Sequence, residues 1–433
     1  MNSMYKYAIE EKWTNIDSLG ISQEFYRTIQ KSKYNLIEEK ESSFKFIYVG
    51  ILVYKDELLL ILPKYYNEKY SGNKLECMKQ LILVFKKLPT SVIHQYKDFL
   101  IMSRDIDDEY ISEIAIADYL IKDYIDNGYY TRNISESKLN VNGKIDWGKT
   151  INSMQPIISN GYPIYNNYYA IRNNQNNNNI IYKIHYEVVN LLIQKYGDLL
   201  GYKIKGRSSN GLKSLGNNKT ISSIIKSELQ HTYNDRNINL LKCIYNFFNP
   251  SREKSNKGLN LYGTTSFNLV WEFVCGYIFE NEYDTFKECI PNPKWQAIGG
   301  VPVENIRNIL KPDIIRSEGN NIIIIDAKYY SISLNNDGVV GNPGSYDIVK
   351  QYTYEIALRK KYKNHNIINL LLYPKELDYN IKLFGYVVLE IFDLDPILNV
   401  YISPKYVLQL FLNSERLKLD EIKLIINLKV SKR

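Results

Sequence analysis

The sequence has little of what marks membrane, secreted and metal-cluster proteins. Four cysteines are scattered through 433 residues and form no CxxC pair, so we expect them to be reduced and mostly buried. No apolar run approaches the roughly 18 residues of a membrane-spanning helix, and the N-terminus lacks the basic and apolar segments of a signal peptide. These absences predict a cytoplasmic protein without a membrane partner.

Several common catalytic patterns are also missing. The four histidines are isolated from one another and from the cysteines, which argues against a zinc site. No GxSxG motif, which carries the nucleophile of many serine hydrolases, occurs. The stretch GLKSLGNNKT at 211–220 has two glycines at Walker A spacing, but Asn217 replaces the required lysine. We therefore expect this chain to bind no nucleotide itself.

The sequence does contain enough apolar residues for real cores, and a mild excess of basic residues. Hydrophobic residues make up 45% of the chain, and 55 Lys and Arg against 47 Asp and Glu leave a net charge of +8. The length predicts two or three domains. The positive charge suits an anionic partner, although it is spread widely along the chain.

Apolar periodicity predicts a mixed α/β fold in three consecutive regions. Residues 44–63 predict two strands joined by a turn, and the following KLECMKQLILVFKKLP has helical spacing. We assign an N-terminal α/β domain to 1–155, for partner docking or DNA contact. A helical linker region covers 156–255, and the third domain covers 256–433.

The middle of the chain is predicted to be mostly helical. Residues 180–248 have helical spacing, interrupted by a flexible loop of Gly, Ser, Asn and Lys. The Asn-rich tract at 172–180 is too polar to pack and predicts a surface loop. In the third domain the predicted order is helix, hairpin, helix, two strands and helix.

The stretch KPDIIRSEGNNIIIIDAKYY predicts a β-hairpin that ends in charged residues. Its loop is Gly319-Asn320, because both residues tolerate the positive φ of a two-residue turn. In that register Asp313 faces Asp326 across the two strands, with Cβ atoms about 4.5 to 5.5 Å apart. A slip of one residue would place the aspartates on opposite faces.

Lys328 adds a cation to this pair. It follows Asp326 by two residues, so the alternation of a strand puts both on one face, while Ile323 and Ile325 point to the buried face of a half-covered strand. Two adjacent carboxylates repel each other unless a cation joins them or one takes a proton. Hard oxygen ligands favour Mg²⁺, with Mn²⁺ as a substitute. The alternative is a strand end with a simple salt bridge.

Such a site suits phosphodiester hydrolysis. A lysine beside the metal can orient or help deprotonate the attacking water, or stabilise the charge of a pentacovalent phosphate.

Two further candidates lie on flanking helices. Glu272 lies within the apolar helix FNLVWEFVCGYIF and either reaches water at its margin or faces the metal site. The helical period predicts an inward stripe of Leu269, Val270, Phe273, Val274 and Tyr277. Gln351 follows Asp347 by four residues on a second helix. It either holds the attacking water or a phosphate, or is an exposed residue without such a role.

These residues occur in the order of a known superfamily. The ordered elements are Glu272, Pro312-Asp313, Asp326-Ala327-Lys328 and Gln351. With them, residues 256–395 resemble the PD-(D/E)XK nuclease superfamily, with Asp in place of the more frequent Glu as second acid.

The resemblance implies a restriction-endonuclease-like core, a mixed β-sheet flanked by helices. It implies that Asp313 and Asp326 are metal ligands, that Lys328 is the catalytic lysine, and that Glu272, as a third candidate ligand, and Gln351 support them. It also implies cleavage that leaves a 5′-phosphate.

Four further stretches extend a resemblance over most of the chain: FIYVGILVYKDELLLILPKYY, GKIDWGKTI, YGTTSFNLVWE and DIVKQYTYE. Together they resemble the LlaJI-type restriction endonucleases and, more distantly, the McrC subunit of McrBC systems. The resemblance implies a type II or type IV-like restriction endodeoxyribonuclease subunit of a bacterial anti-phage system. It also implies double-stranded DNA as substrate and a separate McrB-like AAA+ GTPase as partner.

Two other functions stay open. One is a regulatory or assembly subunit that stimulates the partner GTPase, with the nuclease site secondary. The other is a stand-alone nuclease for branched or damaged DNA. A double-strand cut needs two active sites or two visits, which favours a homodimer.

Overall fold

The computed structural model of the chain describes residues 5–69, 71–89, 112–176, 179–207, 211–249, 258–290, 294–301, 303–304, 310–335 and 338–427. The chain divides into two compact units. One contains Met1–Met102 and Arg252–Arg433, and the other contains Ser103–Ser251. The first unit therefore joins both ends of the chain, a division that differs from the three consecutive domains expected from the sequence.

Helices and strands alternate along three segments of the chain. The first segment contains β1 (Tyr5–Ile9), α1 (Ile16–Leu19), α2 (Gln23–Gln30), β2 (Ile37–Lys40), β3 (Ser43–Phe46), β4 (Val49–Tyr54), β5 (Glu57–Leu62) and α3 (Lys74–Lys87). The middle segment contains α4 (Glu113–Asn127), β6 (Arg132–Leu139), β7 (Lys144–Ile145), α5 (Trp147–Ser153), β8 (Ile157–Ser159), β9 (Tyr162–Ile164), β10 (Tyr169–Asn176), α6 (Ile180–Leu192), α7 (Asn218–Gln230) and α8 (Asp235–Phe248).

The last segment contains β11 (Leu259–Thr264), α9 (Phe267–Ile278), α10 (Tyr283–Phe286), β12 (Lys294–Trp295), β13 (Val303–Glu304), β14 (Ile314–Glu318), β15 (Asn321–Ala327), β16 (Ser333–Asn335), β17 (Gly338–Val340), α11 (Ser345–Lys361), β18 (Asn366–Pro374), β19 (Ile381–Val387), β20 (Ile397–Ile402), α12 (Pro404–Asn413) and α13 (Leu419–Ile426).

The first sheet combines strands from both ends of the chain. Its order is β1-β5-β4-β11. The predicted hairpin of residues 44–63 is confirmed as β4 and β5, which are antiparallel. β11 pairs with β4 along its whole length, from Leu259 opposite Tyr54 to Thr264 opposite Val49. This pairing makes the N-terminal and C-terminal segments one unit.

Two glycines face each other where β4 and β11 approach. Gly50 pairs with Gly263, and their φ angles are +143° and +158°. A Cβ atom on Gly50 would lie 2.3 Å from the carbonyl oxygen of Tyr262, and one on Gly263 would lie 2.2 Å from that of Val49. The strands can approach this closely only because both residues lack a side chain.

The second sheet is mixed and carries the predicted hairpin. Its order is β14-β15-β18-β20-β19, with β15, β18 and β20 parallel and the two edge strands antiparallel. Glu318 pairs with Asn321 across the turn, and Gly319 has a φ of +57°. The predicted turn and register are therefore confirmed, as is the mixed α/β fold class.

The strand β15 is buried on both faces. Ile322 and Ile324 pack with Tyr354 and Leu358 of α11, α9 also contacts β15, and Ile323 and Ile325 are buried as well. The expectation of a half-covered strand is therefore wrong. β15 is parallel to β18, and parallel strands occur in sheets that helices cover on both sides.

The second unit combines a small sheet with helices. β6, β10 and β7 form an antiparallel sheet in the order β6-β10-β7, and β8 and β9 form a hairpin. α8 packs against α4 and α7. The predicted helices between residues 180 and 248 are confirmed. The surface loop predicted for 172–180 is wrong over residues 172–176, which belong to β10, because backbone pairing with β6 does not require apolar side chains.

The cysteines are as the sequence predicts. Cys77, Cys243 and Cys275 are buried, Cys289 is partly buried, and all four are free. Among the helices of the described residues, none is both long and apolar enough to cross a membrane.

Candidate active site

The two aspartates of the hairpin meet at the ends of β14 and β15. Asp313 immediately precedes β14 and Asp326 is the penultimate residue of β15. Asp313 Oδ2 accepts a hydrogen bond from the backbone N–H of Ala327 over 3.0 Å. Asn281 fixes the backbone on both sides of Ile314, at the start of β14. Its Nδ2 donates to the carbonyl oxygen of Asp313 over 2.7 Å, and its Oδ1 accepts from the N–H of Ile315 over 3.0 Å.

Lys328 lies between two carboxylates. Its Nζ is 2.9 Å from Asp326 Oδ2 and 2.9 Å from Asp347 Oδ1, the latter in the first turn of α11. The backbone N–H of Lys328 donates to the carbonyl oxygen of Leu372 over 2.9 Å. The structure therefore brings together Asp313, Asp326 and Lys328, as the hairpin register predicts.

The charges of this cluster shift the protonation of its members. Burial, the negative charge of Asp326 and a hydrogen bond with it raise the pKa of Asp313 to about 8, and Glu272 adds to the effect. Burial alone would lower the pKa of Lys328, but Asp326 and Asp347 outweigh it and raise this pKa above its ordinary value. Lys328 is therefore an ammonium at neutral pH, whereas Asp313 is driven towards its protonated form because two ionised aspartates at this distance repel each other.

Glu272 reaches the same cluster from α9. With Asp313, Asp326 and Lys328 it lines a cavity of about 470 Å³. Burial and the charge of Asp326 raise the pKa of Glu272 to about 7, although Lys328 opposes the shift. Of the two alternatives derived from the sequence, the structure favours a side chain that faces the site.

The buried stripe of α9 differs from the predicted one. Val270 and Val274 are buried as expected, whereas Leu269, Phe273 and Tyr277 are only partly buried. The buried residues of this helix are Phe267, Val270, Trp271, Val274, Cys275 and Ile278. Contacts with α12 and β15 decide which side of a strongly apolar helix is covered, and the apolar pattern alone does not.

Gln351 is buried in α11 rather than exposed. Only 1% of it is accessible to solvent. Within the described residues, neither its Oε1 nor its Nε2 has a hydrogen-bond partner. A buried amide without partners costs on the order of 1 to 3 kcal/mol. The interpretation of Gln351 as an exposed residue is wrong. Gln351 also does not line the 470 Å³ cavity that contains the carboxylates.

The carboxylates also fit a magnesium ion. Among the described residues, no group of three or more His, Cys, Asp or Glu side chains converges in a geometry ready to hold a metal. Mg²⁺, however, needs only one or two protein carboxylates and keeps several waters. The repulsion between Asp313 and Asp326 is the kind of conflict that a divalent cation removes.

A second cavity adjoins the carboxylates. It has a volume of about 740 Å³ and shares Glu272 and Asp313 with the first. Lys311 and Arg416 line it, and the guanidinium carbon of Arg416 lies 3.3 Å from the ring centroid of Tyr277. This contact combines a cation with an aromatic face.

Several residues of this region are not apparent from the sequence. The helical spacing places Asp347 on one face with Gln351, but it does not predict the contact of Asp347 with Lys328. The sequence does not indicate a role for Asn281 or Lys64, because only the tertiary structure brings them next to the hairpin. Lys64 and Lys350 line the 470 Å³ cavity together with the carboxylates.

An acid pair and a lysine thus meet at the strand ends of a mixed sheet. The chain belongs to the LlaJI restriction endonuclease family, whose model matches residues 48–405. It is 32% identical over 402 residues to the type II restriction enzyme BsuMI component YdjA of Bacillus subtilis (strain 168), with 90% of this chain and 86% of that protein covered. The protein is therefore a restriction endonuclease.

More distant similarities exist among solved structures. One similar chain comes from a tetradecameric assembly of Thermococcus gammatolerans McrB AAA+ hexamers with bound McrC. Its sequence is 13% identical and the TM-score is 0.44, and the match covers 96% of this chain and 100% of that chain. Another comes from the McrBC complex of the same organism; it is 11% identical, has a TM-score of 0.25, and 55% of this chain and 78% of that chain are covered.

Proposed function

We propose that the protein is the Mg²⁺-dependent nuclease subunit of a restriction system and that the hairpin site hydrolyses phosphodiester bonds of double-stranded DNA. One observation carries this proposal. Lys328 Nζ is 2.9 Å from Asp326 Oδ2, and Asp313, across the hairpin, accepts from the N–H that follows Asp326. Two carboxylates and an ammonium thus meet in a cavity large enough for a phosphate.

Asp313 and Asp326 are the proposed magnesium ligands, with Glu272 in support. When bound, the ion supplies a Lewis acid that polarises the phosphate and lowers the pKa of a bound water. Mn²⁺ carries the same charge and accepts the same oxygen ligands.

The remaining chemistry falls to the protein. Lys328 is protonated at neutral pH, so it donates hydrogen bonds and stabilises negative charge on the phosphate rather than deprotonating the water. Glu272, with a pKa raised to about 7, can accept the proton of the attacking water. The oxygen of the water bonds to phosphorus as the bond to O3′ breaks, and O3′ takes up a proton from solvent. Formation of 5′-phosphate ends rests on the superfamily resemblance.

The cations of the two cavities are suited to the DNA backbone. Lys64 and Lys350 line the smaller cavity, and Lys311 and Arg416 line the larger one. Both cavities contain Asp313 and Glu272, so a strand whose phosphate lies at these carboxylates can place neighbouring phosphates near lysine or arginine on either side. Phosphate contacts of this kind position DNA without reading its sequence.

We also propose that cleavage requires a separate McrB-like GTPase. The relative YdjA is described as a component of a restriction enzyme, and this chain has no Walker A lysine at 211–220. There are two alternatives. One is a mainly regulatory subunit, which would stimulate a partner GTPase and whose own nuclease activity would be dispensable. The other is a nuclease that acts alone.

Cleavage of supercoiled plasmid tests the proposal. Wild type, Asp326→Ala and Asp284→Ala would be compared on modified and unmodified DNA, with Mg²⁺ or with EDTA. Each reaction would be run with and without GTP or ATP, and with and without the protein encoded by the neighbouring gene. Asp284 is the matched control, because its side chain is 92% exposed and pairs with Lys287, three residues along the chain. We expect Asp326→Ala or EDTA to abolish cleavage and Asp284→Ala to retain it.

Each other outcome has a definite meaning. Cleavage that survives Asp326→Ala would refute this site. Cleavage without nucleotide or partner would establish a nuclease that acts alone. If the partner's GTPase is stimulated by wild type and Asp326→Ala alike while restriction in cells survives the substitution, the regulatory function is correct. Ends bearing a 3′-phosphate would contradict the polarity, and the mass of the active species would show whether a homodimer cuts.

A further inference from the structure

Glu10 is a buried carboxylate far from the nuclease hairpin in sequence but next to it in space. It follows β1 directly and is 7% exposed. It lines the same 470 Å³ cavity as Asp313, Asp326 and Lys328. The adjacent strand β5 buries apolar side chains from Leu58 to Leu62, so Glu10 is an acid at the end of an apolar strand. A carboxylate in such a position is costly unless it has fixed partners.

The hydrogen-bond partners of Glu10 come from both the N-terminal and the C-terminal segment of the first unit. Its Oε2 accepts a hydrogen bond from the hydroxyl of Tyr329 and another, over 3.2 Å, from the backbone N–H of Lys64. Its own backbone N–H donates to the carbonyl oxygen of Leu62 over 2.8 Å. Burial raises the pKa of Glu10, while the hydrogen bond from Tyr329 and the charge of Lys64 oppose the shift. Hydrogen bonds thus hold the carboxylate at the end of β5 and connect it to Tyr329.

Tyr329 is equally well fixed and directly follows Lys328. Its ring centroid lies 5.3 Å from that of Phe267 and 6.2 Å from that of Tyr65, and Lys64 Nζ lies 4.5 Å from it. The hydroxyl that donates to Glu10 therefore fixes the chain just after the catalytic strand. Lys328 is held at its backbone by β18 and at its side chain by two carboxylates, and Glu10 adds a third point of attachment one residue away.

We propose that Glu10 is a positioning residue for DNA cleavage: through the Tyr329 hydroxyl it fixes the end of β15, so that Lys328 and Asp326 keep their places at the scissile phosphate. The N-terminal segment then contributes to catalysis through this contact. The proposal rests on the proposed roles of Asp326 and Lys328. It predicts a loss in turnover rather than in DNA binding, because the Glu10 carboxyl only accepts hydrogen bonds, from Tyr329 and Lys64, and contributes no phosphate contact.

A double-mutant cycle tests the proposal. The full chain, with its partner component where cleavage requires one, would be assayed as wild type, Glu10→Ala, Tyr329→Phe and the double variant. Tyr329→Phe keeps the aromatic contacts and removes only the hydroxyl. We expect each single change to lower kcat about tenfold with KM for DNA unchanged, since small displacements of catalytic groups have effects of this size or larger. The double variant should be no slower than the slower single variant.

Two further variants separate positioning from folding. Glu10→Gln keeps an oxygen that can accept from both donors, so kcat should stay within about threefold of wild type. Glu57→Ala is the matched control, because Glu57 also accepts from a backbone N–H, that of Ser22, and contacts a lysine, Lys6, but lies at the opposite end of β5. It should leave kcat unchanged. Thermal melting would show that each assay is made on folded protein.

The failures of the two proposals can be told apart. If Asp326→Ala, assayed alongside, still cleaves, the proposed function fails. If Asp326→Ala is inactive, three results would refute the positioning role of Glu10. These are a Tyr329→Phe variant with the kcat of wild type, additive losses for Glu10→Ala and Tyr329→Phe, or a change in KM alone. If Glu10→Ala does not fold, Tyr329→Phe and Glu10→Gln decide the question by the same criteria.

Discussion

Lys328 Nζ lies 2.9 Å from Asp347 Oδ1, which joins the end of β15 to the first turn of α11. Because the same ammonium also contacts Asp326 Oδ2 over 2.9 Å, the lysine is held by two carboxylates from different elements. A flexible four-carbon side chain needs such anchoring to present its charge in one place. Asp347 thus orients the ammonium of Lys328, the proposed catalytic cation, without being part of the acid pair itself.

Asp347→Asn should therefore slow cleavage without weakening DNA binding. The amide keeps the size of the side chain but loses the charge that attracts the ammonium, so Lys328 becomes mobile at one end. We expect kcat to fall roughly 10-fold to 100-fold, measured by single-turnover cleavage, with the Kd for DNA in EDTA unchanged. Asp284→Asn is the control. An unchanged kcat would show that Asp326 alone positions Lys328.

Asp313→Asn should abolish cleavage and stabilise the metal-free protein. Asp313 and Asp326 repel each other, and the asparagine Oδ1 can still accept from the N–H of Ala327. We expect the midpoint of thermal unfolding in EDTA at pH 8 to rise by about 2 to 5 °C. Added Mg²⁺ should raise the midpoint of wild type but not of Asp313→Asn. A variant that melts below wild type in EDTA would contradict the repulsion.

Gly263→Ala should disrupt the junction between the two ends of the chain. The new Cβ would lie 2.2 Å from the carbonyl oxygen of Val49, and the φ of +158° is unfavourable for alanine. We expect a loss of more than about 2 kcal/mol in unfolding free energy, measured by denaturant titration. Gly148→Ala is the control, because its Cβ would meet only Asp146 Oδ1 at 3.7 Å, and stability should not fall. Equal stabilities would show that β11 can shift away from β4.

His185 should make the second unit sensitive to acid. Burial lowers the pKa of His185 to about 4, and its Nδ1 accepts the N–H of Tyr130 over 2.9 Å, a bond that the neutral ring makes. The unfolded state takes up a proton near pH 6.5 and the folded state only near pH 4, so this stability is present above pH 6.5 and lost as pH falls towards 4. The loss between pH 7 and pH 5 is about 2 kcal/mol.

Urea unfolding of wild type and His185→Asn at both pH values measures this loss. Asparagine can accept the N–H of Tyr130 but does not titrate, so the variant should lose about 2 kcal/mol less than wild type between pH 7 and pH 5. His231→Asn, at an exposed histidine, should behave as wild type. Parallel pH profiles for wild type and His185→Asn would rule out this titration.

Much of the candidate site could be predicted from the sequence because it depends on neighbouring residues. A two-residue turn at Gly319-Asn320 sets the register of β14 and β15, and strand alternation then brings Lys328 to Asp326. The partners that hold these groups were not predictable in the same way. Asp347 is 19 residues from Lys328 and Glu10 is 319 residues from Tyr329, and such contacts follow from how elements pack.

The sequence by itself determined the local elements: the β4–β5 hairpin, the helices α3 and α11, and the acid pair of the β14–β15 hairpin. Their signals are turn residues and apolar periods, which act within a few residues. The tertiary structure decided that β11 completes the N-terminal sheet, that β15 is buried on both faces, and that Glu10 meets Tyr329. These depend on which strands pair and which surfaces are covered, and pairing between distant segments is selected by packing of the whole unit rather than by local propensity.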